Sequence, residues 1–331
     1  MAENETVAVV GGGSWATALV WLLTHNGHTV HWWLRSAESR THLAATGRNP
    51  RYLPQVQLPL EQLVLPEHLP DALAGATRTL LAVPSAYIEA TLAQVPPAAV
   101  QGSAVGSAIK GLVPSTGERI SDYCQRVWGL PPEAYTVVTG PSHAEEVVRG
   151  QLTFLTCGSV SAAQAKGWAV CLASPTVVTV GSDDVEGLEF SGVLKNVYAL
   201  AVGLALGLGY GDNFRAVLAS ACIRELETYL AQAHPNPARV VTDSAYLGDL
   251  LVTAYSEHSR NRQLGYRVGA GQTPAEALAH MGMIAEGYSV VRVLIEVLGL
   301  TNLPIAQAVY NVVHQGLPPQ KALLDLAPTF R

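Results

Sequence analysis

Residues 6–16, which read TVAVVGGGSWA, most constrain how this chain folds. They place a short β-branched run before a cluster of glycines, followed by residues that can begin a helix. Gly11 allows a tight turn at the end of the strand, and Gly13 lets backbone N–H groups approach a phosphate. A helix that begins at Ser14 points the positive end of its dipole at the same place. The pattern therefore predicts a strand, turn and helix that bind the pyrophosphate of a dinucleotide.

The surroundings of the glycines strengthen this prediction, since a glycine pattern alone is weak evidence. An apolar strand precedes it, a helical run covers residues 15–24, and a second strand at 29–34 follows at the spacing of a βαβ unit. A glycine-rich turn without a ligand is the alternative. Arg35 stands at the end of the second strand, where an acidic residue usually binds the 2′-hydroxyl of NAD. Because a guanidinium pairs with a 2′-phosphate, Arg35 favours NADPH, the alternative being a surface arginine without a ligand.

Length and charge set the frame for the rest of the chain. The 331 residues exceed one ordinary hydrophobic core and predict two domains. Hydrophobic residues make up 49% of the chain and charged residues 14%, which is typical of a globular protein rather than a disordered one. The net charge of -6 argues against a nucleic-acid partner, so an anionic substrate needs a local cluster of cations.

The cysteines and the apolar runs indicate a cytoplasmic protein. Cys124, Cys157, Cys171 and Cys222 lack the paired spacing of a zinc site or a redox dithiol, so we interpret them as reduced core thiols and predict no metal. The acidic start, MAENET, leads straight into a strand, and we expect no signal peptide. The longest uncharged run, residues 197–211, is short for a bilayer and predicts a buried helix without membrane insertion.

Strand-like and helix-like runs alternate through the first half of the chain. This alternation predicts an α/β fold with a mainly parallel, Rossmann-like doubly wound sheet. The further strand-like runs cover residues 78–83, 102–108, 135–138, 152–157 and 176–180. Residues 49–70 carry five prolines and predict an ordered strap over the sheet edge or the cleft. Long helical periods follow, so we predict a dinucleotide-binding domain at 1–183 and an all-helical substrate and catalytic domain at 184–331.

Two polar turns follow predicted strands, at the positions where open α/β sheets place their ligands. The first is SAIKG, whose Lys110 could bind a substrate oxygen or a phosphate. The second is TGPSHAEE, where Ser142 and backbone donors are expected to face the same crevice. His143 in that turn is either a general acid or, as is more common for a lone histidine, a structural residue.

Lys195 interrupts an otherwise apolar helical run. Lysine is rarely buried without a role, and desolvation would lower its pKa toward the range useful for proton transfer. A surface lysine with a buried stem is the alternative. Asp249 and Thr253 share one face if their segment is helical, and an aspartate beside Lys195 would orient its ammonium group.

Ser259, Arg260 and Asn261 form a short polar cluster downstream of these residues. A hydroxyl, a guanidinium and an amide together can bind a phosphate dianion. The cluster therefore predicts a phosphate-bearing small-molecule substrate.

The chain resembles the NAD(P)-dependent sn-glycerol-3-phosphate dehydrogenases of the bacterial, lipid-synthesis type. The resemblance rests, in order, on GGGSWATAL, NPRYLP, SAIKG, GPSHAEEV, LKNVYALAVGLALGLGYGDN, LGDLLVTAYSEHSRNRQLG and AEGYSVVRVL, from residue 6 to about residue 298. It implies reversible reduction of dihydroxyacetone phosphate to sn-glycerol 3-phosphate with NADPH or NADH. The product supplies the glycerophospholipid backbone, and related enzymes suggest a homodimer.

The resemblance also implies a role for each matching residue. Lys195 matches the proton-transfer lysine, with Lys110 and Asp249 beside it, and Asn196 is expected to help stabilise the oxyanion. The substrate set is Lys110, Gly140, Ser142, Lys195, Asn196, Asp249, Thr253, Ser259, Arg260 and Asn261. The cofactor set, with the two glycines of the turn, is Gly11, Gly13, Ser14, Trp15, Arg35, Lys110, Ala144, Arg260, Ile284 and Glu286.

Two departures from the family pattern and two other functions stay open on the sequence. Ala16 replaces a usual glycine, and Tyr246 stands where glycine usually precedes LGD. One alternative is another two-domain dehydrogenase of the hydroxyacid or 6-phosphogluconate kind, against which the SRN cluster and LGDLLVT speak. The other is a non-catalytic NADPH sensor, against which the intact Lys110, Lys195 and Asp249 speak.

Overall fold

The computed structural model describes residues 4–281 and 285–330. The chain divides into two compact units, one of Met1–Ile109 and Ile120–Val185 and one of Lys110–Arg119 and Glu186–Arg331. The second unit thus takes in a short segment that the first unit flanks on both sides. The division predicted from the sequence, 1–183 and 184–331, places residues 110–119 in the first domain, whereas the structure groups them with the second unit.

The first unit is built on one eight-stranded sheet within the described residues. Its strand order is β3-β2-β1-β4-β5-β6-β7-β8, and neighbouring strands are parallel except β6 and β7. The strands are β1 (Thr6–Val10), β2 (Thr29–Trp33), β3 (Leu63–Val64), β4 (Arg78–Leu81), β5 (Ala104–Ser107), β6 (Tyr135–Thr139), β7 (Thr153–Gly158) and β8 (Val177–Ser182). This confirms the predicted doubly wound α/β fold.

Apolar side chains on both faces explain why the central strands are interior. In β1, Val7 to Val10 are all buried, which is usual for parallel strands covered by helices on both sides. The helices of this unit are α1 (Ser14–His25), α2 (Ala37–Thr46), α3 (Leu69–Leu73), α4 (Ile88–Leu92), α5 (Ile120–Trp128), α6 (Ala144–Val147) and α7 (Ala162–Leu172). Single 3-10 turns lie at Leu60–Gln62, Ser85–Tyr87, Pro97–Val100 and Pro132–Ala134.

The proline-rich strap at residues 49–70 supplies the edge strand of the sheet. Its β3 pairs parallel to β2, with Leu63 opposite Val30. The sequence predicts the strap but not this strand, because two residues are too few to show a period. All four cysteines are free and buried, as predicted.

The second unit is helical within the described residues. Its helices are α8 (Val185–Gly207), α9 (Asp212–Ala233), α10 (Asp249–Tyr255), α11 (Arg260–Gly269), α12 (Pro274–Met281), α13 (Glu286–Arg292), α14 (Pro304–Val313) and α15 (Pro319–Leu326), with π-helical turns at Ser244–Gly248 and Val293–Val297 and a 3-10 turn at Ala327–Thr329. By length and composition α8 could cross a membrane, but 89% of its most apolar window is buried inside the protein. The predicted buried helix at 197–211 is thus confirmed as far as Gly207, where α8 ends.

Helices α8 and α11 touch backbone to backbone through glycines. A Cβ built on Gly265 would lie 2.2 Å from the carbonyl oxygen of Leu200, and one on Gly203 would lie 2.3 Å from that of Arg262. No side chain fits at either place, since real Cβ contacts are not this short. The contact fixes α11, whose first turn carries the SRN cluster, against the C-terminal half of α8.

We predict that Gly265→Ala destabilises the protein by about 1–3 kcal/mol or more, because the added methyl must force the two helices apart. Chemical denaturation would measure the free energy of unfolding. Gly211→Ala is the matched control, since a Cβ there meets nothing within 4 Å and its φ of -72° is ordinary for alanine. Equal stability of the two variants would contradict the proposed packing constraint.

Candidate active site

The glycine turn after β1 has a backbone shape that only glycine tolerates. Gly11 has a φ of +134°, and a Cβ on it would lie 2.4 Å from the carbonyl oxygen of Ala82. The N–H of Gly11 donates to the carbonyl of Trp33 at 3.1 Å, and its carbonyl accepts from Nε1 of Trp32 at 2.6 Å. The turn is thereby held by the end of β2 and by the chain that follows β4.

The helix start behind this turn is open to an anion. Gly13 is the N-cap of α1, no side chain caps it, and the first turn holds no acidic residue. A Cβ on Gly13 would meet nothing within 4 Å, so there is space in front of the helix. Unbonded backbone N–H groups and the helix dipole favour negative charge here. The residues present therefore fit a dinucleotide pyrophosphate, with Ser14 and Trp15 as the first helical residues.

Arg35 lies two residues after the end of β2, near the strand end where the sequence predicts it. Its guanidinium carbon lies 4.8 Å from the ring centroid of Tyr87, and its side chain is exposed. Within residues 4–281 and 285–330 no acidic side chain is paired with it. The aromatic ring holds the cation in place while leaving it available to an anion.

The other candidates of the first unit lie in the turn after β6. The Ser142 hydroxyl donates to the carbonyl of Gly140 at 2.9 Å, and Ala144 begins α6. The structure also places His143 as the N-cap residue of α6, without a side-chain cap hydrogen bond. The strand end and the helix start are therefore where the sequence predicts them.

Two lysines share one buried carboxylate in the second unit. Lys195 on α8 pairs with Oδ1 of Asp249, the first residue of α10. Nζ of Lys110 lies 3.1 Å from Oδ2 of the same side chain. Asp249 is 1% exposed and Lys195 5%, so both charges are largely removed from water. The structure thus brings the three predicted catalytic residues together.

The protonation of this cluster is set by burial and by the neighbouring charges. Burial lowers the pKa of the Lys195 ammonium to about 7, with a further lowering by the charge of Lys110, although Asp249 opposes both. Burial alone would raise the pKa of the Asp249 carboxyl, but the two ammonium groups outweigh it and hold that pKa below its usual value. Lys195 can therefore hold or release a proton near neutral pH while Asp249 stays ionised.

An amide network fixes the backbone around Lys110. Nδ2 of Asn196 donates to the carbonyl of Lys110 at 3.1 Å and to that of Gly192 at 3.2 Å. Oδ1 of Asn196 accepts from Asn261 at 2.9 Å, and Oδ1 of Asn261 accepts from the N–H of Gly287 at 2.9 Å. Both N–H groups of Asn196 are thus used on the backbone. This differs from the expectation that Asn196 donates to a substrate oxyanion.

The remaining substrate candidates lie within α10 and at the start of α11. Oγ1 of Thr253 donates to the carbonyl of Asp249 at 2.6 Å, one turn along α10. Ser259 is the N-cap of α11 and accepts from the N–H of Arg262 at 3.3 Å, so Arg260 and Asn261 form the first turn of that helix. Its dipole adds to the positive charge of Arg260.

Two of the cofactor candidates in the second unit lie at the starts of helices. Glu286 begins α13, and Arg260 begins α11. The prediction for Ile284 lies outside the described residues.

Local structure explains the unusual Tyr246. It lies buried in the π-helical turn Ser244–Gly248, which ends where Asp249 begins α10. The hydroxyl of Ser191 on α8 donates to the carbonyl of Ala245 at 3.0 Å and anchors this turn. The wider turn aims the start of α10, as π-turns at functional sites often do. Sequence reasoning missed the turn, because no residue pattern marks it.

The candidates fall on both units. In the first are Gly11, Gly13, Ser14, Trp15, Arg35, Gly140, Ser142 and Ala144; in the second are Lys110, Lys195, Asn196, Asp249, Thr253, Ser259, Arg260, Asn261 and Glu286. A Rossmann-like sheet with an open glycine turn, together with a helical unit that buries a lysine on an aspartate, is typical of a two-domain, dinucleotide-dependent oxidoreductase.

Comparison with known proteins identifies the family. Residues 6–165 match the family model of the NAD-dependent glycerol-3-phosphate dehydrogenase N-terminus, and residues 184–324 match that of the C-terminus. The chain belongs to the NAD-dependent glycerol-3-phosphate dehydrogenase family and is an NAD(P)-dependent enzyme. This resolves both alternatives that the sequence left open, another dehydrogenase and a non-catalytic sensor.

Individual relatives match along nearly the whole chain. The glycerol-3-phosphate dehydrogenase (NAD(P)+) of Moorella thermoacetica is 37% identical over 318 residues, which cover 95% of this chain and 93% of that protein. The enzyme of the same name from Chlorobium limicola is 34% identical over 97% of this chain and 96% of its own. The crystal structure of glycerol-3-phosphate dehydrogenase from Coxiella burnetii superposes with a TM-score of 0.89 at 28% identity, covering 98% of both chains.

We predict that Asp249→Asn lowers the free energy of unfolding by about 3–5 kcal/mol, because it leaves the buried ammonium group of Lys195 and the partly buried one of Lys110 without their counter-charge. Asp325→Asn is the control. Asp325 and Lys321 form an exposed i,i+4 ion pair at 3.0 Å, and such a pair contributes less than about 1 kcal/mol to stability. Urea denaturation at neutral pH would compare the two. A loss at Asp249 no larger than at Asp325 would mean that the buried carboxylate does not stabilise the lysines.

Proposed function

We propose that the protein reversibly reduces dihydroxyacetone phosphate to sn-glycerol 3-phosphate, with the bound nicotinamide of NADPH or NADH supplying the hydride to C2. The observation that carries the proposal is the buried pairing of Lys195 and Lys110 with Asp249 in a chain of this family. The product would supply the glycerophospholipid backbone in the cytoplasm. The enzyme would act as a homodimer, as the family resemblance implies, and its mass in solution would test this.

The proton in this reaction is assigned to Lys195. Reduction of the ketone places negative charge on its oxygen, and the Lys195 ammonium would donate a proton to that oxygen. Asp249 holds the ammonium group in one orientation and favours its charged form. Lys110, on the other carboxylate oxygen, would add positive charge toward the developing alkoxide. In the reverse direction neutral Lys195 would accept the proton.

The substrate phosphate is assigned to the start of α11. Arg260 and Asn261 offer a guanidinium and an amide there, beside the Ser259 N-cap. The guanidinium of Arg260 and the positive end of the α11 dipole would together stabilise the two negative charges of the phosphate. We include Gly140, Ser142 and Thr253 in the substrate site because the resemblance assigns them to it. Binding energy at the phosphate would hold the carbonyl in position for reaction.

The cofactor is assigned mainly to residues 1–183, the predicted dinucleotide-binding domain, and the substrate mainly to residues 184–331. The pyrophosphate would lie on Gly11, Gly13, Ser14 and Trp15, at the open start of α1. Arg35 would pair with the 2′-phosphate, which favours NADPH. The resemblance adds Lys110, Ala144, Arg260, Ile284 and Glu286.

The activity and its pH dependence test the proposal together. Loss of NADPH absorbance should follow addition of dihydroxyacetone phosphate, and kcat/KM for reduction should fall as the pH rises through about 7, where Lys195 loses its proton. The reverse oxidation should rise over the same range, because it needs neutral lysine. Lys195→Ala should lower kcat about a hundredfold or more and remove the inflection. Lys321→Ala, at an exposed lysine, is the control; a Lys195→Ala enzyme with normal kcat would exclude the lysine as the acid.

Coenzyme preference tests Arg35. Arg35→Asp should lower the ratio of kcat/KM with NADPH to that with NADH by about tenfold or more, because a carboxylate repels the 2′-phosphate and accepts from a 2′-hydroxyl. Arg126→Asp makes the same charge change in the same unit at an arginine that also lies over a tyrosine, Tyr123, at 5.0 Å. An unchanged ratio for Arg35→Asp would show that Arg35 does not bind the 2′-phosphate.

A further inference from the structure

Asn49, the first residue of the strap, is a buried amide next to the glycine turn. It is 1% exposed. Its Nδ2 donates to the carbonyl of Gly12 at 3.1 Å and to Oγ1 of Thr17 at 2.8 Å. Both N–H groups of the side chain are therefore spent on the turn and on the first helical turn of α1.

The oxygen of the same amide organises the strap. Oδ1 of Asn49 accepts from the backbone N–H of Arg51 at 3.1 Å and from that of Tyr52 at 3.3 Å. An asparagine side chain offers two donors and two acceptor lone pairs, and here all four are satisfied. The side chain thus connects two backbone segments that are 37 positions apart along the chain.

Thr17 extends this connection to the next peptide of the turn. It is fully buried, and its Oγ1 accepts from Asn49 and donates to the carbonyl of Gly13 at 3.0 Å. Asn49 thus binds the carbonyl of Gly12 directly and that of Gly13 through Thr17. The two carbonyls belong to the two consecutive peptide groups that carry the N–H groups of Gly13 and Ser14.

The orientation of these carbonyls sets the direction of the N–H groups. In a trans peptide group the C=O and the N–H point in opposite directions. Because the carbonyls of Gly12 and Gly13 are turned toward Asn49 and Thr17, the N–H groups of Gly13 and Ser14 are turned away from them. The space in front of Gly13 is open, and that is where the pyrophosphate is assigned.

We propose that Asn49 is a positioning residue for dinucleotide binding, which holds the peptide groups of the glycine turn with their N–H groups aimed at the cofactor pyrophosphate. The inference rests on the proposed function, because it takes the glycine turn as the cofactor site. Asn49 itself contacts neither ligand. Without its amide the peptide group between Gly12 and Gly13 loses its hydrogen bond from Asn49, and cofactor binding must then order that group. The Gly13 carbonyl still accepts from the backbone N–H of Thr17 at 2.9 Å, so the effect on the second peptide group is the smaller one.

The test replaces Asn49 by leucine, which has a similar size and no hydrogen-bonding groups. Asn49→Leu should raise the dissociation constant for NADPH, measured by quenching of tryptophan fluorescence, by about tenfold, as the loss of one net hydrogen bond would. At saturating NADPH, kcat and the KM for dihydroxyacetone phosphate should stay within about twofold of the original enzyme. Asn49→Asp keeps both acceptors for the strap and loses both donors, so it tests the turn if the leucine variant folds poorly.

Asn26 provides a matched control at the other end of the same helix. As the C-cap of α1, its Nδ2 donates to the carbonyls of Cys171 and Ala173, both at 3.0 Å. Asn26→Leu should lower the thermal midpoint as Asn49→Leu does, but leave the dissociation constant for NADPH within about twofold. An equal rise in both variants would reduce Asn49 to a stability role and overturn the proposal.

A second variant tests the connection through Thr17. Thr17→Val removes the hydroxyl but keeps the shape of the side chain, and its effect on NADPH affinity should be less than additive with that of Asn49→Leu, since both act on the same peptide groups. If the two effects on NADPH affinity were fully additive, Asn49 and Thr17 would not act on the same peptide groups, and this part of the proposal would be overturned. If the unsubstituted enzyme neither binds NADPH nor oxidises it, the proposed function has failed; if it does both and Asn49→Leu binds NADPH normally, only the present inference has failed.

Discussion

The second unit depends on one buried carboxylate that pairs with two ammonium groups, the buried one of Lys195 and the partly buried one of Lys110. Removing Lys195 from solvent opposes its charge, and Lys110 nearby opposes it further, so Asp249 must compensate both. The three residues come from three separate places: the segment Lys110–Arg119, α8 and α10. A buried cluster of this kind is stable only when its geometry is held firmly. Backbone contacts and hydrogen bonds around the three residues hold this geometry.

The glycine contacts between α8 and α11 help to hold the geometry of this cluster. They bring the two backbones closer than any side chain would allow, and so place Asn261 within hydrogen-bond distance of Asn196. From Asn196 the network continues to the carbonyl of Lys110. The helix start that carries the phosphate candidates is thus connected, through two amides, to the chain that carries one of the lysines.

The sequence predicts well those features that depend on neighbouring residues. The strand, turn and helix at Gly11, the alternating sheet and the long buried α8 are of this kind, because a local period or a local backbone requirement marks each of them. Contacts between residues far apart along the chain cannot be predicted in this way. That Asn196 spends its donors on backbone carbonyls, and that Lys110 groups with the helical unit, follow from contacts across 86 positions that no local pattern contains.

Short or irregular elements escape for another reason. The edge strand β3 has only two residues, and the π-helical turn before Asp249 is a single turn whose hydrogen bonds span five residues instead of four, so neither leaves a period to detect. Tyr246 could be recognised as unusual but not explained until that turn was seen. Asn49 begins NPRYLP, one of the motifs of the family resemblance, but that motif indicates no role for it, because a polar residue at the start of a proline-rich stretch is ordinary.

The segment Lys110–Arg119 has a consequence for how the protein can be divided. The chain leaves the sheet unit, contributes a lysine and a backbone carbonyl to the helical unit, and returns through α5 to complete the sheet. Arg119 at its far end is anchored by Glu186, 3.0 Å away at the start of α8. A gene fragment that begins at α8 would encode the Lys195–Asp249 pair without its second lysine. The two halves are therefore not interchangeable modules: neither can be cut out of the gene, or fused to a foreign partner, with its full set of residues.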